Sequence, residues 1–134
     1  MIRRGAVPIL RRMLKQFPAV TILGPRQCGK TTFIQGFCGV LGVRHGVTSP
    51  TFIIFRKHQI PNPKSQIKPK TQNPKFIVHM DLYRVQKPKE ILALGFKKII
   101  SNPENIVLIE WPEVIKKLLP KNTIWIKFEH GKKE

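Results

Sequence analysis

Apolar residues in this chain gather into short runs, and the way each run ends separates them. AVTILG, Ala19 to Gly24, is apolar throughout, as expected of a strand covered on both faces. FIVHMDLYR, Phe76 to Arg84, begins apolar and turns polar. NIVLIEW, Asn105 to Trp111, closes on a carboxylate and an indole. TIWIKFEH, Thr123 to His130, alternates as a half-buried edge strand does. A further strand is expected where GVTSPTFIIFRKH, Gly46 to His58, passes from a loop into Phe52, Ile53, Ile54 and Phe55. Between these runs the period changes to that of helices. Pro8 to Phe17 sets Ile9, Leu10, Met13, Leu14 and Phe17 on one face, with Arg11, Arg12 and Lys15 on the other. A second helix is predicted from Lys30 to about Leu41, with Phe33, Ile34 and Phe37 inward. A third spans Lys87 to Phe96, and a short fourth covers PEVIKKLL, with Pro88 and Pro112 suited to first turns. Gln59 to Lys75 has four prolines, four lysines and no hydrophobic period, so it reads as a flexible, basic excursion at about 59–75. Strands alternating with helices over 134 residues imply one α/β domain spanning residues 1–134.

The stretch joining the first strand to its helix is GPRQCGKTT. Gly24-x-x-x-x-Gly29-Lys30-Thr31 fits the Walker A phosphate-loop pattern, in the strand–loop–helix context that the match requires. Gly24 and Gly29 let the amides of a loop containing Arg26, Gln27 and Cys28 turn toward phosphates. Lys30 adds a point charge near the β and γ phosphates, Thr31 offers a hydroxyl to Mg²⁺, and Thr32 can contact the α phosphate. Binding of a nucleotide together with Mg²⁺ is what this loop points to.

Such a site needs an acid at a neighbouring strand end. Glu110 closes NIVLIE and is the candidate metal ligand, the alternative being an ordinary surface acid. Asp81 closes FIVHMD, so one of the two acids can hold magnesium while the other orients or deprotonates the attacking water. Thr48, Ser49 and Thr51 form either a switch near the γ phosphate or a simple turn. Trp111 is either a cover for the site or core packing. His79 is expected to be a satisfied structural histidine, and Cys28 a small filler residue open to oxidation.

Charge adds a second class of function. The net charge is +18, and residues 1–80 contain 14 Lys and Arg with no acid at all, leaving all seven acids from Asp81 onward. Such an excess favours polyanionic partners. It supports an alternative reading as a basic nucleic-acid-binding module with a regulatory or degenerate nucleotide site. The excursion carries no aromatic side chains, so its grip would fall on phosphates. Cys28 and Cys38 lack metal or disulfide spacing, which suits a reducing, cytoplasmic setting. No apolar run reaches membrane-spanning length, so no membrane is expected as a partner. The Arg-rich N-terminus has some features of a targeting leader, yet its apolar face reads as part of the fold.

VTSPTF, HMDLYR, ALGF, VLIEWPE and LLP, following a phosphate loop in that order, closely resemble the TsaE family of small bacterial ATPases of tRNA threonylcarbamoyladenosine synthesis. The resemblance runs from about Thr31 to the C-terminus. It implies a fold class, α/β with a single P-loop NTPase domain and a mixed central sheet flanked by helices, with ATP and magnesium at Gly29, Lys30, Thr31 and Thr32, and a metal-coordinating role for Glu110. Asp81 and Trp111 match positions tied to hydrolysis, and Thr48 to Thr51 match a switch-like segment. It also implies partner subunits like TsaB and TsaD, acting on adenosine 37 of tRNA. The phosphate loop departs from the family wording, which is close to GDLGAGKT. Together with RRMLKQFPAVTILGPRQ it is similar to AAA-type ATPases with loops like GPRQVGKTT, so a hybrid, a diverged family member or a fragment of an AAA-type ATPase are the readings for the N-terminal part.

Overall fold

The computed structural model describes residues 19–25, 29–43, 54–61 and 75–131. The expected helix at Pro8 to Phe17, the loop residues Arg26, Gln27 and Cys28, the segment Thr48 to Thr51 and residues 62–74 of the excursion lie outside them. Among the described residues five strands form one sheet: β1 (Ala19–Leu23), β2 (Phe55–Gln59), β3 (Phe76–Asp81), β4 (Asn105–Glu110) and β5 (Ile124–Lys127). Their order across the sheet is β2-β3-β4-β1-β5. β1 runs parallel to β4 and β5, and β3 parallel to β4; only β2 is antiparallel, to β3. The sheet is therefore mixed, as the family resemblance implies.

Each strand follows its pattern. β4 is buried at all six positions: its four apolar residues lie between two parallel neighbours, and Asn105 and Glu110 at its ends are buried with them. β5 alternates half-buried and exposed residues at one edge. β2 occupies the other edge, where exposed Arg56 and Lys57 discourage pairing with another chain. This strand reaches Gln59, later than expected, and Ile60 N–H donates to the Lys75 carbonyl at 2.8 Å. β2 and β3, the strands on either side of the excursion, thus pair antiparallel.

Two apolar layers enclose the sheet. On one face helix α1 (Lys30–Val40) sets Ile34, Phe37 and Cys38 against Val20, Ile22, Ile77, Ile106 and Leu108. On the other, Val78, Met80, Val107 and Ile109 pack on Ile91, Phe96 and Ile115. The single helix expected over Lys87 to Phe96 is instead two, α2 (Pro88–Leu92) and α3 (Phe96–Ser101). Gly95, at φ 84°, adopts a left-handed conformation at the break, so the ALGF wording turns the chain. Glu90 accepts hydrogen bonds from the amides of Gln86 and Lys87, both 2.9 Å, and Pro88 follows at the first turn, which together start α2. These backbone bonds hold the Glu90 carboxyl below its ordinary value. PEVIKKLL also departs from expectation: Pro112–Leu118 is a 3₁₀ helix kinked at Ile115, which points inward and is fully buried.

Burial pushes the Cys38 thiol up to about 11. At pH 8 such a thiol is ionised to roughly one part in a thousand, and the thiolate is the reactive form. In a Cys28→Ser variant, Cys38 is expected to resist a disulfide reagent at pH 8 in the native protein and to react fully in urea. Rapid native modification would show that α1 does not seal this face.

Candidate functional site

The parallel register brings one row of strand ends together. Ile22 on β1 pairs with Glu110 on β4, and Glu110 pairs with Asp81 on β3. Residues paired this way share a sheet face, so both carboxylates belong to the face covered by α1. Two residues beyond Ile22 the chain reaches Gly24, φ 142°, and on the far side of the loop Gly29, φ 97°, begins α1. Only glycine takes such backbone angles without strain. A Cβ built on Gly29 would meet no atom of the described residues within 4 Å. Among the described residues no side chain caps this helix and its first turn has no acid, so its leading amides carry partial positive charge. Thr31 and Thr32 are exposed there.

Lys30 behaves differently. It is only 6% exposed, and its Nζ donates to the Gly24 carbonyl at 2.7 Å. The same ammonium lies 3.8 Å from the centroid of the Trp111 ring. Trp111 reaches it because the residue following β4 turns sharply, with φ 56° and ψ 56°. Pro112 disfavours the right-handed helical region for the residue before it, so Trp111 does not simply continue into the helix that follows. The left-handed conformation costs a non-glycine residue about 1–3 kcal/mol. Contacts with Lys30 and with Tyr83, whose ring centroid is 5.0 Å away, offset it. The Trp111 ring is half-buried against the second apolar layer, as core packing predicts, and its face also meets Lys30.

Glu110 is no surface acid. It is 3% exposed, and its Oε2 accepts a hydrogen bond from His79 Nε2 at 2.8 Å. Asp81 is half-buried, and its Oδ1 accepts from the Tyr83 amide at 3.1 Å, which fixes the carboxylate in the turn leaving β3. His79 corrects an expectation. Only one of its nitrogens is satisfied; Nδ1 is buried and has no hydrogen-bond partner among the described residues. His58, on β2, is held below the ordinary histidine value by burial first, then by the charges of His79 and Arg56. The clue to His79 is its spacing of two from Asp81. The link to Glu110 needs the register of β3 on β4, which the sequence does not contain.

The arrangement is that of a P-loop NTPase fold: a strand, a glycine-bounded loop and a helix, beside carboxylates at neighbouring strand ends. Residues 5–134 match the family model described as Threonylcarbamoyl adenosine biosynthesis protein TsaE, and the chain belongs to the TsaE family. The family match begins well upstream of Thr31, so the divergent loop and much of the N-terminal part lie within it. The chain is 35% identical over 125 residues to the tRNA threonylcarbamoyladenosine biosynthesis protein TsaE of Rickettsia felis, covering 90% of this chain and 63% of that protein. It is 30% identical to the Haemophilus influenzae protein of the same name, with 83% and 62% covered. The chain thus spans just under two thirds of the length of these curated relatives. Among solved structures it is similar to Bacillus subtilis YdiB, with a TM-score of 0.60 at 20% identity over 99% of this chain and 76% of that one. Among the described residues no helix is long and apolar enough to cross a membrane.

Proposed function

We propose that this chain is a Mg²⁺-dependent ATP-binding and hydrolysing accessory protein of tRNA threonylcarbamoyladenosine biosynthesis. The observation that carries the reading is the meeting of the Walker A lysine, the Glu110–Asp81 row and Trp111 at one end of the sheet. Family membership supports the pathway, and the glycine-initiated start of α1, with no acid in its first turn, fits a triphosphate.

In this reading the amides at Gly29 to Thr32 cradle the phosphates, and Gly24, Arg26, Gln27 and Cys28 complete the loop around them. Lys30 leaves the Gly24 carbonyl for the β and γ phosphates. Thr31 and Glu110 are the protein ligands that would hold the cation. Among the described residues no three His, Cys, Asp or Glu side chains converge, and magnesium ordinarily asks for only one or two carboxylates beside phosphate and water. When bound, the cation neutralises charge gathering on the transferred phosphoryl group. Asp81, held by the Tyr83 amide, orients the attacking water and accepts its proton. Trp111 keeps water from the lysine, and Thr51 belongs to the segment that senses the γ phosphate. The chain acts as a single domain in the cytoplasm. Turnover is slow alone, and its motion is read by TsaB- and TsaD-like subunits, with the basic surface favouring tRNA nearby.

Glu110→Gln tests the cation assignment. It keeps the shape and the acceptor for His79 while removing one charge. The Mg²⁺ concentration giving half-maximal ATP turnover should rise on the order of tenfold or more, with ATP binding in EDTA unchanged. An unaltered magnesium requirement would remove Glu110 from the site.

A further inference from the structure

We propose that His79 is a positioning residue for Glu110: its Nε2–H holds one carboxylate oxygen, at 2.8 Å, so that the other stays aimed at the cation. The inference rests on the reading of Glu110 as a cation ligand and adds a residue to it.

The geometry follows from the alternation of β3 and its register on β4. Ile77, His79 and Asp81 share the face that α1 covers, and the pairs are His79 with Leu108 and Asp81 with Glu110. His79 therefore lies one pair deeper than the acids, diagonally behind Glu110, on a floor that includes Ile77, Ile106 and Leu108. Both side chains are almost wholly out of solvent, 1% exposed for the histidine and 4% for the glutamate. A carboxylate there has little water to hold it in one rotamer. A hydrogen bond from an imidazole N–H supplies both the partner and the direction. A carboxylate oxygen only accepts, so the shared proton belongs to Nε2 when Glu110 is ionised. Because the bond uses Oε2, Oε1 remains for a cation. Ligating carboxylates are commonly steered from behind in this way. A merely packed histidine would need neither this direction nor a polar atom facing Glu110.

The test compares three variants with the wild-type chain. His79→Leu keeps bulk and removes the donor; His79→Gln places an amide N–H near the position of Nε2; His79→Asn is too short to reach Glu110. Each is loaded with ATP, and Mn²⁺ binding is followed by loss of the free-ion electron paramagnetic resonance signal. ATP affinity in EDTA and the melting curve of the unliganded protein are measured alongside. The leucine and asparagine variants should bind Mn²⁺ about 10–100-fold more weakly. The glutamine variant should stay near wild type, and metal-free ATP affinity should be unchanged in all three. Wild-type Mn²⁺ affinity in a folded leucine or asparagine variant would overturn the proposal, as would equal losses in the asparagine and glutamine variants. Should the leucine variant fail to fold, the contrast between glutamine and asparagine decides alone. Glu110→Gln separates the two levels. If it binds Mn²⁺ like wild type, the cation reading fails; if it loses Mn²⁺ while the His79 variants do not, only the positioning role fails.

Discussion

Replacing Lys30 by alanine should weaken ATP binding by at least about a hundredfold, measured by calorimetry. The size of the effect follows from what the ammonium does before a nucleotide arrives. It already donates to the Gly24 carbonyl at 2.7 Å and lies 3.8 Å from the Trp111 centroid. A hydrogen bond from a charged donor contributes about 1.5–3 kcal/mol, and a cation–π contact about 0.5–2 kcal/mol. A phosphate charge 4 Å away offers about 4 kcal/mol at an effective dielectric near 20, and a triphosphate presents more than one. The lysine therefore exchanges partners at a net gain of a few kcal/mol, enough for the expected loss. Lys30→Met is the companion variant: its stem still packs beneath Trp111, so it should lose ATP binding with little change in melting temperature. Wild-type ATP affinity in either variant would mean that the loop does not hold the phosphates.

The largest effect on stability is expected from Leu108→Ala. Leu108 is wholly buried at the middle of β4, between β3 and β1, in the layer that α1 covers. Its truncation removes apolar contact and leaves a cavity that two flanking strands keep from collapsing, a loss of about 2–5 kcal/mol. Domains of this size unfold with about 5–15 kcal/mol in hand, so a large share of the total disappears. The midpoint of urea unfolding should fall with little change in slope, because the surface exposed on unfolding is nearly the same. A loss under about 1 kcal/mol would contradict the central position of β4.

Both variants touch parts of the molecule that were legible to different degrees. Strand β1, its loop and α1 could be read directly, because a continuous apolar run, two glycines and a helical period are local signals. β4 and edge strand β5 were equally plain. The break at Gly95 was not, since the apolar period over Lys87 to Phe96 is compatible with one helix or with two joined by a turn. The 3₁₀ geometry after Trp111 was hidden for a similar reason: proline at the start suits either helix.

The candidate site divides along the same line. Residue type and spacing along the chain determined the match to the phosphate-loop pattern, the acids that end β3 and β4, and the likeness to the TsaE family. Only the tertiary structure decided that β4, rather than another strand, lies beside β1 with Asp81 and Glu110 in one row. It likewise decided that Trp111 bends back over Lys30, and that His79 meets Glu110 across 31 residues of chain. The physical reason is that local backbone preferences act over a few residues, whereas strand order and register are chosen by the burial of two whole faces at once. A hydrogen bond between neighbouring strands exists only after that choice is made.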